Sequence, residues 1–188
     1  MFSRRGHAHV AVVDYGCKRS ILRRLAGAGA AVTVFPHDVD ADDLVGYDGV
    51  LLSNGPGDPE PLRAETETVR ELVGRTPVLG ICLGHQLLAL ATGLATFKLP
   101  FGHRGGNHPV LERASGRVLV TSQNHGFAVA PSDAREATHV SLYDGTVEGL
   151  DFPDLRARSL QFHPEAGPGP HDGWPLLESW VEHVCGGA

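Results

Sequence analysis

"PVLGICLGHQLLALA" (residues 77–91) is the stretch that decides how this chain folds. Pro77 to Ile81 is an apolar run of strand length, and His85 to Ala91 continues as a helix. Between them stands Gly80-Ile81-Cys82-Leu83-Gly84. A free cysteine ordinarily packs as a small, inert hydrophobe. Here glycine two places before and two places after sets it at a strand-to-helix corner. This is the G-x-nucleophile-x-G elbow with cysteine in the serine position. The corner needs glycine because side chains there would clash. It leaves the thiol at the carboxyl edge of a sheet and at a helix N-terminus, where unpaired N–H groups and the positive dipole end favour thiolate. Cys82 is the candidate nucleophile, and it requires a base and an oxyanion site elsewhere.

Eleven histidines offer a base, and "QFHPE" (residues 161–165) singles out His163. In an extended chain, residues two apart point to one face, so His163 and Glu165 share a face with Pro164 between them. Proline cannot donate to a ladder, which puts this segment at a sheet edge or at a strand end. A carboxylate held on one ring nitrogen leaves the other free to take a thiol proton, as in the hydrolytic triads. Taken alone, "HPE" is equally well a surface turn with a solvated carboxylate. For the oxyanion, one donor is the N–H of Leu83, just after the nucleophile. The second comes from a neighbouring strand end, and "SNGPGDPE" (residues 53–60) has the glycines that let backbone N–H groups face a ligand.

Moving outward from the elbow, "HVAVVDYG" (9–16) and "AVTVF" (31–35) are strands, with helical "KRSILRRLAGAGA" (18–30) between them. "DADDL" (40–44) opens a short helix. "GVLL" (49–52) is a strand running into the glycine loop, and "LRAETETVRELVG" (62–74) is an amphipathic helix ended by Gly74. Alternating strand and helix implies parallel strands covered on both faces, with ligands at their carboxyl ends. The second half breaks into short strands, "GRVLVTSQNHGFAVA" (116–130), "ATHVSLYDGTVEGL" (137–150) and "RARSLQFHPE" (156–165). "YDGT" forms a hairpin turn, and "QNHGF" is by itself only a turn between strands. "GWPLLESWVEHVC" (173–185) closes the chain as a helix with Leu176, Leu177, Trp180 and Val184 on one face. The 188 residues are expected to form one domain, 1–188.

Composition limits the partners. A net charge of −6 argues against a nucleic-acid binder. Three scattered cysteines give neither a disulfide framework nor a zinc pair, and a reducing cytoplasm fits them. The apolar run after Arg4 and Arg5 is stopped by Asp14, too early for a signal peptide. No apolar stretch approaches the ~20 residues of a membrane span. No G-x-x-x-x-G-K-[ST] stretch is present, so any ATP chemistry falls to a partner.

"LLSNGPGDP", "GICLGHQLLALA", "FGHRGGNHPV", "TSQNHGFAV", "DGTVEGL" and "HPEAGPGPHD" occur in this order. Together they resemble the glutaminase domain of the small subunit of carbamoyl-phosphate synthetases, a branch of the class I glutamine amidotransferases. The resemblance runs from about His9 to Trp180. It implies an α/β, flavodoxin-like three-layer sandwich around a mainly parallel central sheet. It also implies Cys82 as nucleophile, His163 as base and acid, Glu165 as its orienter, and the N–H groups of Gly55 and Leu83 as the oxyanion hole. Gly57, Gln86, Asn124, Gly126 and Phe127 match substrate-contacting positions, and His125 has no implied catalytic task. The implied reaction is hydrolysis of the L-glutamine side-chain amide, with no metal or organic cofactor and with ammonia passed to a partner synthetase. Gly167 stands where the family usually has serine. In the family, a further domain precedes the glutaminase domain, helps hold glutamine and meets the synthetase. Without it the chain is expected to be a weak or unstable glutaminase. Three other readings use the same residues. The triad could serve a different amide in a stand-alone relative, the fold could act as a non-catalytic regulatory module, or Cys82 could be a redox sensor.

Overall fold

The structure is a computed structural model, and it describes residues 8–130 and 136–186. In chain order the elements are β1 (His9–Asp14), α1 (Arg19–Gly27), β2 (Ala31–Pro36), α2 (Ala41–Leu44), β3 (Gly49–Leu52), α3 (Arg63–Leu72), β4 (Val78–Ile81), α4 (Leu83–Ala91), β5 (Thr96–Glu112), β6 (Val118–Val129), β7 (Ala137–Ser141), β8 (Val147–Phe152), β9 (Ala157–Leu160) and α5 (Trp174–Gly186). The strands form a single sheet in the order β2-β1-β3-β4-β9-β8-β6-β5-β7.

The run β2-β1-β3-β4-β9 is parallel throughout. Its inner strands are buried on both faces, which is why β3 and β4 read as unbroken apolar runs rather than alternating ones. One face packs Leu44, Val69, Leu72, Leu83 and Leu87 from α2, α3 and α4 against Ala11, Val50 and Val78. The other packs Ile21 and Leu25 of α1 and Leu177, Trp180, Val181 and Val184 of α5 against Val10, Val12 and Leu51. Two helical layers around one sheet make the three-layer sandwich. Leu176, expected on the same face of α5, instead packs beside Val110, Leu119, Leu160 and Phe162. Among the described residues, no helix is long and apolar enough to cross a membrane.

The other strands are antiparallel, and they hold the main differences from the sequence reading. The β7–β8 hairpin turns through Tyr143–Thr146 as expected, closed by Ser141 N–H to Thr146 O at 2.9 Å. "FGHRGGNHPV" is not a separate loop but the middle of β5, whose register against β6 slips twice, at Lys98/His103 and Gly105/His108. Its glycines sit at those slips, with φ of 71° at Gly102 and 134° at Gly105. "QNHGF" lies within β6 rather than between strands, with Asn124 opposite Arg104 and His125 opposite His103. Among the described residues, β6 meets β8 only at Val129↔Val147, so its preceding part runs without that neighbour's ladder.

Candidate active site

β3, β4 and β9 are adjacent and parallel, so their carboxyl ends open on the same side. The chain leaves β3 into Ser53–Gly57, leaves β4 into Cys82, and leaves β9 into Gln161–Glu165. Three segments distant in sequence are thereby brought together at one rim.

Cys82 is buried at 4% exposure and adopts φ 55°, ψ −101°, a conformation rare for a side-chain-bearing residue. The flanking glycines make this corner possible through close approach. A Cβ on Gly80 would sit 2.8 Å from the His85 nitrogen, and one on Gly84 would run into the Leu52 carbonyl. Gly84 N–H in turn donates to Ser53 O at 3.1 Å, which fastens the start of α4 to the end of β3. The elbow is strained and held in place by backbone contact on both sides.

His163 and Glu165 are both buried, and the ring Nδ1 lies 2.9 Å from Glu165 Oε1. They meet through a turn, not through strand alternation. β9 ends at Leu160, and Ala166 N–H bonds back to His163 O. Pro164 accordingly follows the end of a central strand. Burial opposes charge on His163, but the neighbouring Cys82 and the Glu165 carboxylate outweigh it and raise the ring to about 9. Burial pushes the Glu165 carboxyl up, yet His163 and then Lys18 hold it below the usual carboxylate range. Lys18 Nζ lies 3.6 Å from the same oxygen that meets His163. The sequence offered no signal for Lys18 beyond a basic residue before a helix. It is placed by Lys18 N–H donating to Asn54 Oδ1 at 3.0 Å.

A cleft of about 80 Å³ opens on the thiol, lined by Gly55, Pro56, Gly57, Cys82, Gln86, Asn124, His125, Gly126 and Phe127. It gathers the glycine loop, the elbow helix and β6 around one cysteine. Leu83 opens α4 beside Gly55, where a Cβ would lie 2.6 Å from Leu83 Cδ2 and strike Tyr15 O. Only glycine fits there. Among the described residues, the N–H groups of Leu83 and Gly55 donate to no backbone carbonyl. Gln86 is turned differently from a simple substrate contact. Its amide N–H₂ donates to Phe127 O at 2.8 Å and to Gln161 Oε1 at 3.0 Å. The amide oxygen is the part left for a ligand, so Gln86 offers an acceptor.

Two neighbouring groups belong to the packing. Complete burial lowers His85 to about 3, and its Nδ1 lies 2.8 Å from Ser159 Oγ. Burial, with Asp14 beside it, pushes the Cys17 thiol up to about 12. A larger hollow of about 530 Å³ lies between α5 and strands β7–β9, and Cys82 does not line it.

Known proteins resemble this chain along nearly its whole length. The profile of the family described as glutamine amidotransferase class-I matches residues 11–182. The carbamoyl phosphate synthase small chain of Syntrophotalea carbinolica is 53% identical over 178 residues, covering 92% of this chain and 47% of that one. That of Methanopyrus kandleri is 54% identical over 173 residues, covering 89% and 48%. The chain thus spans about half the length of these relatives. A crystal structure from Thermoplasma acidophilum, described as that of a GMP synthase subunit, superposes with a TM-score of 0.84 at 23% identity, over 97% of this chain and 96% of that one. That likeness is one of fold alone. With its sandwich, its elbow cysteine and a family match over residues 11–182, the chain belongs to the class-I glutamine amidotransferases.

Proposed function

We propose that residues 1–188 form one glutaminase unit that hydrolyses the side-chain amide of L-glutamine through a cysteinyl thioester. The observation that carries this is Cys82 on a positive-φ elbow, beside a buried His163 that Glu165 holds at 2.9 Å. The Cys82 thiol passes its proton to His163 while its sulfur attacks the amide carbon, and the carbonyl π electrons move onto oxygen. The N–H groups of Gly55 and Leu83 receive that oxyanion. Collapse breaks the C–N bond while His163 gives its proton to the departing nitrogen, releasing ammonia. Water, losing a proton to His163, then attacks the thioester, and glutamate leaves with the thiol restored. Glu165 keeps the ring oriented and favours its charged form in both halves. Gly57, Gln86, Asn124, Gly126 and Phe127 form the wall that holds the substrate.

The small-chain relatives extend the reading to its setting. Ammonia would pass to a synthetase subunit that makes carbamoyl phosphate, in the cytoplasm, as the reducing-compartment cysteine usage suggests. The test is ammonia release from a panel of amides, with and without a carbamoyl-phosphate synthetase large subunit. Glutamine should be preferred, and rapid quenching should trap a glutamyl adduct on Cys82 by mass spectrometry. Hydrolysis of another amide in preference to glutamine would replace the substrate. Turnover by Cys82→Ala would overturn the mechanism.

A further inference from the structure

Behind the cleft wall, where β6 runs without its β8 ladder, lies a buried polar cluster that the triad chemistry does not use. Its centre is Glu148 on β8, fully buried at 0% exposure. Glu148 Oε2 accepts from Gln123 Nε2 at 2.7 Å. The other end of that amide, Gln123 Oε1, lies 3.0 Å from His125 Nε2. His125 Nδ1 donates to the Phe127 carbonyl at 2.7 Å. That same carbonyl accepts from Gln86 Nε2 at 2.8 Å. An unbroken chain of bonds thus runs from Glu148 to the cleft-lining segment Asn124–Phe127, and it ends on a carbonyl whose two lone pairs are both engaged.

We infer that Glu148 is a positioning residue for the glutamine cleft, acting through Gln123 and His125 to fix the Phe127 carbonyl and the wall it belongs to. This rests on the glutaminase reading of the cleft. The match of donors to acceptors carries it. His125 Nδ1 faces a carbonyl, so it carries the proton, and a neutral ring then presents Nε2 as an acceptor. What Gln123 shows to Nε2 depends on what Glu148 shows to Gln123. A carboxylate draws the N–H₂ end toward itself and turns the amide oxygen to a His125 protonated on both nitrogens. A protonated carboxyl donates to the amide oxygen and turns the N–H₂ end to a neutral His125. Both arrangements hold the same number of protons, and in both Glu148 decides the polarity of the relay. Burial raises Glu148 and lowers His125 to about 4, while Gln123 Nε2 is placed toward the carboxyl and also donates to Thr121 Oγ1 at 3.2 Å.

The groups facing Glu148 come from every neighbouring element. His103 of β5 brings Nδ1 to 3.4 Å from Oε1, while its Nε2 lies 2.8 Å from Asp144 Oδ2. Thr146 Oγ1, in the β7–β8 turn, lies 3.5 Å from Oε1 and donates to Asp144 at 2.8 Å. His103, His125 and Glu148 have the composition of a cation site. Both ring nitrogens of His125 are already engaged, while His103 Nδ1 makes no hydrogen bond among the described residues, so the relay to Phe127 runs through Gln123 and His125.

The test compares Glu148→Ala with Glu148→Gln in the full chain. Kinetics are read as KM and kcat for glutamine hydrolysis, and as labelling of Cys82 by iodoacetamide and by a glutamine-like chloroketone. A separate reading is the low-field ¹⁵N-linked proton resonance of the His125 ring. Glu148→Ala should raise KM by about tenfold, the scale of one lost buried hydrogen bond. It should slow the chloroketone likewise, while kcat and iodoacetamide labelling stay within about threefold. The His125 resonance should vanish. Glu148→Gln keeps a partner for Gln123 and should restore KM and the resonance. An unchanged KM in Glu148→Ala overturns the inference, whatever happens to the melting temperature. So does an unchanged resonance, and so does a parallel fall in kcat and iodoacetamide labelling, which marks plain structural damage. If the wild type ignores glutamine and the chloroketone while the resonance follows the pattern above, the glutaminase reading falls and the relay stands as the wall of a cleft for another amide.

Discussion

Cys82 and Cys17 carry the same thiol in different surroundings. Cys17 is held toward the neutral form by burial and by Asp14, up to about 12. Cys82 faces a histidine raised to about 9. In a Cys185→Ser background, substoichiometric iodoacetamide at pH 7.5 should therefore modify Cys82 well ahead of Cys17, as read by peptide mass spectrometry. Preferential modification of Cys17 would place the reactive thiol elsewhere. Cys82→Ala should abolish glutamine turnover with the far-ultraviolet spectrum unchanged, because one small side chain leaves a corner fixed by backbone contacts. His163 must donate a proton to the departing ammonia, so kcat should fall as pH rises through about 9. Glu165→Gln removes one of the groups that raise the ring, so that alkaline limb should move to lower pH. His163→Ala should cost about 10²–10⁴-fold at any pH, the usual span for a general acid–base group. An alkaline limb that stays put in Glu165→Gln would mean the carboxylate does not tune the ring.

At the scale of the element, the elbow depends on two close backbone approaches. Gly84→Ala would drive a methyl into the Leu52 carbonyl, and Gly80→Ala would meet the turn at Gly84 and His85. Each should cost about 1–3 kcal/mol by overpacking and lower activity further by displacing Cys82. Gly46→Ala has open space around its new methyl and an ordinary φ, so it serves as the unperturbed comparison. Urea midpoints would rank the three, and equal midpoints would rule out overpacking at the elbow. The elbow was legible because its glycines stand two places on either side of the cysteine, a local pattern with one steric meaning. The parallel half was legible for a similar reason, since apolar runs and amphipathic helices alternate there. β5 was not, because Gly102, Gly105, Gly106 and Pro109 break any strand pattern, although Gly102 and Gly105 sit at register slips in one long strand. Lys18 and Glu148 were not legible either. Each acts across gaps of more than a hundred residues or between separate strands, and no spacing in the chain announces such a meeting. His163 and Glu165 meet through a turn past β9, and not through the strand alternation that the sequence suggested.

Over the whole molecule, α5 ties the last residues to the first strands. The Trp180 ring comes within 3.1 Å of where a Cβ at Gly49 would stand, so ring and glycine are fitted to each other. Trp180→Ala should cost about 3–5 kcal/mol. The triad and the buried histidines add a pH dependence whose sign is fixed by the direction of each shift. His163, raised to about 9, stabilises the fold fully below the ordinary histidine value of 6.5 and loses that contribution as pH rises through 9. His103, also raised, acts in the same direction. His85 and His125, lowered to about 3 and about 4, do the opposite. Below 6.5 the unfolded chain takes up protons that the native rings refuse, so stability falls as acid is added. Glu165, held below its ordinary 4.5, adds to that acid loss at the low end. Stability should therefore peak near pH 6.5 and decline on both sides, each unmatched proton changing it by about 1.4 kcal/mol per pH unit. Urea midpoints measured across pH 4–9 would trace the curve. His163→Ala should flatten the alkaline side alone, and His85→Gln the acid side alone. If both variants keep the wild-type curve, these histidines do not set the stability profile.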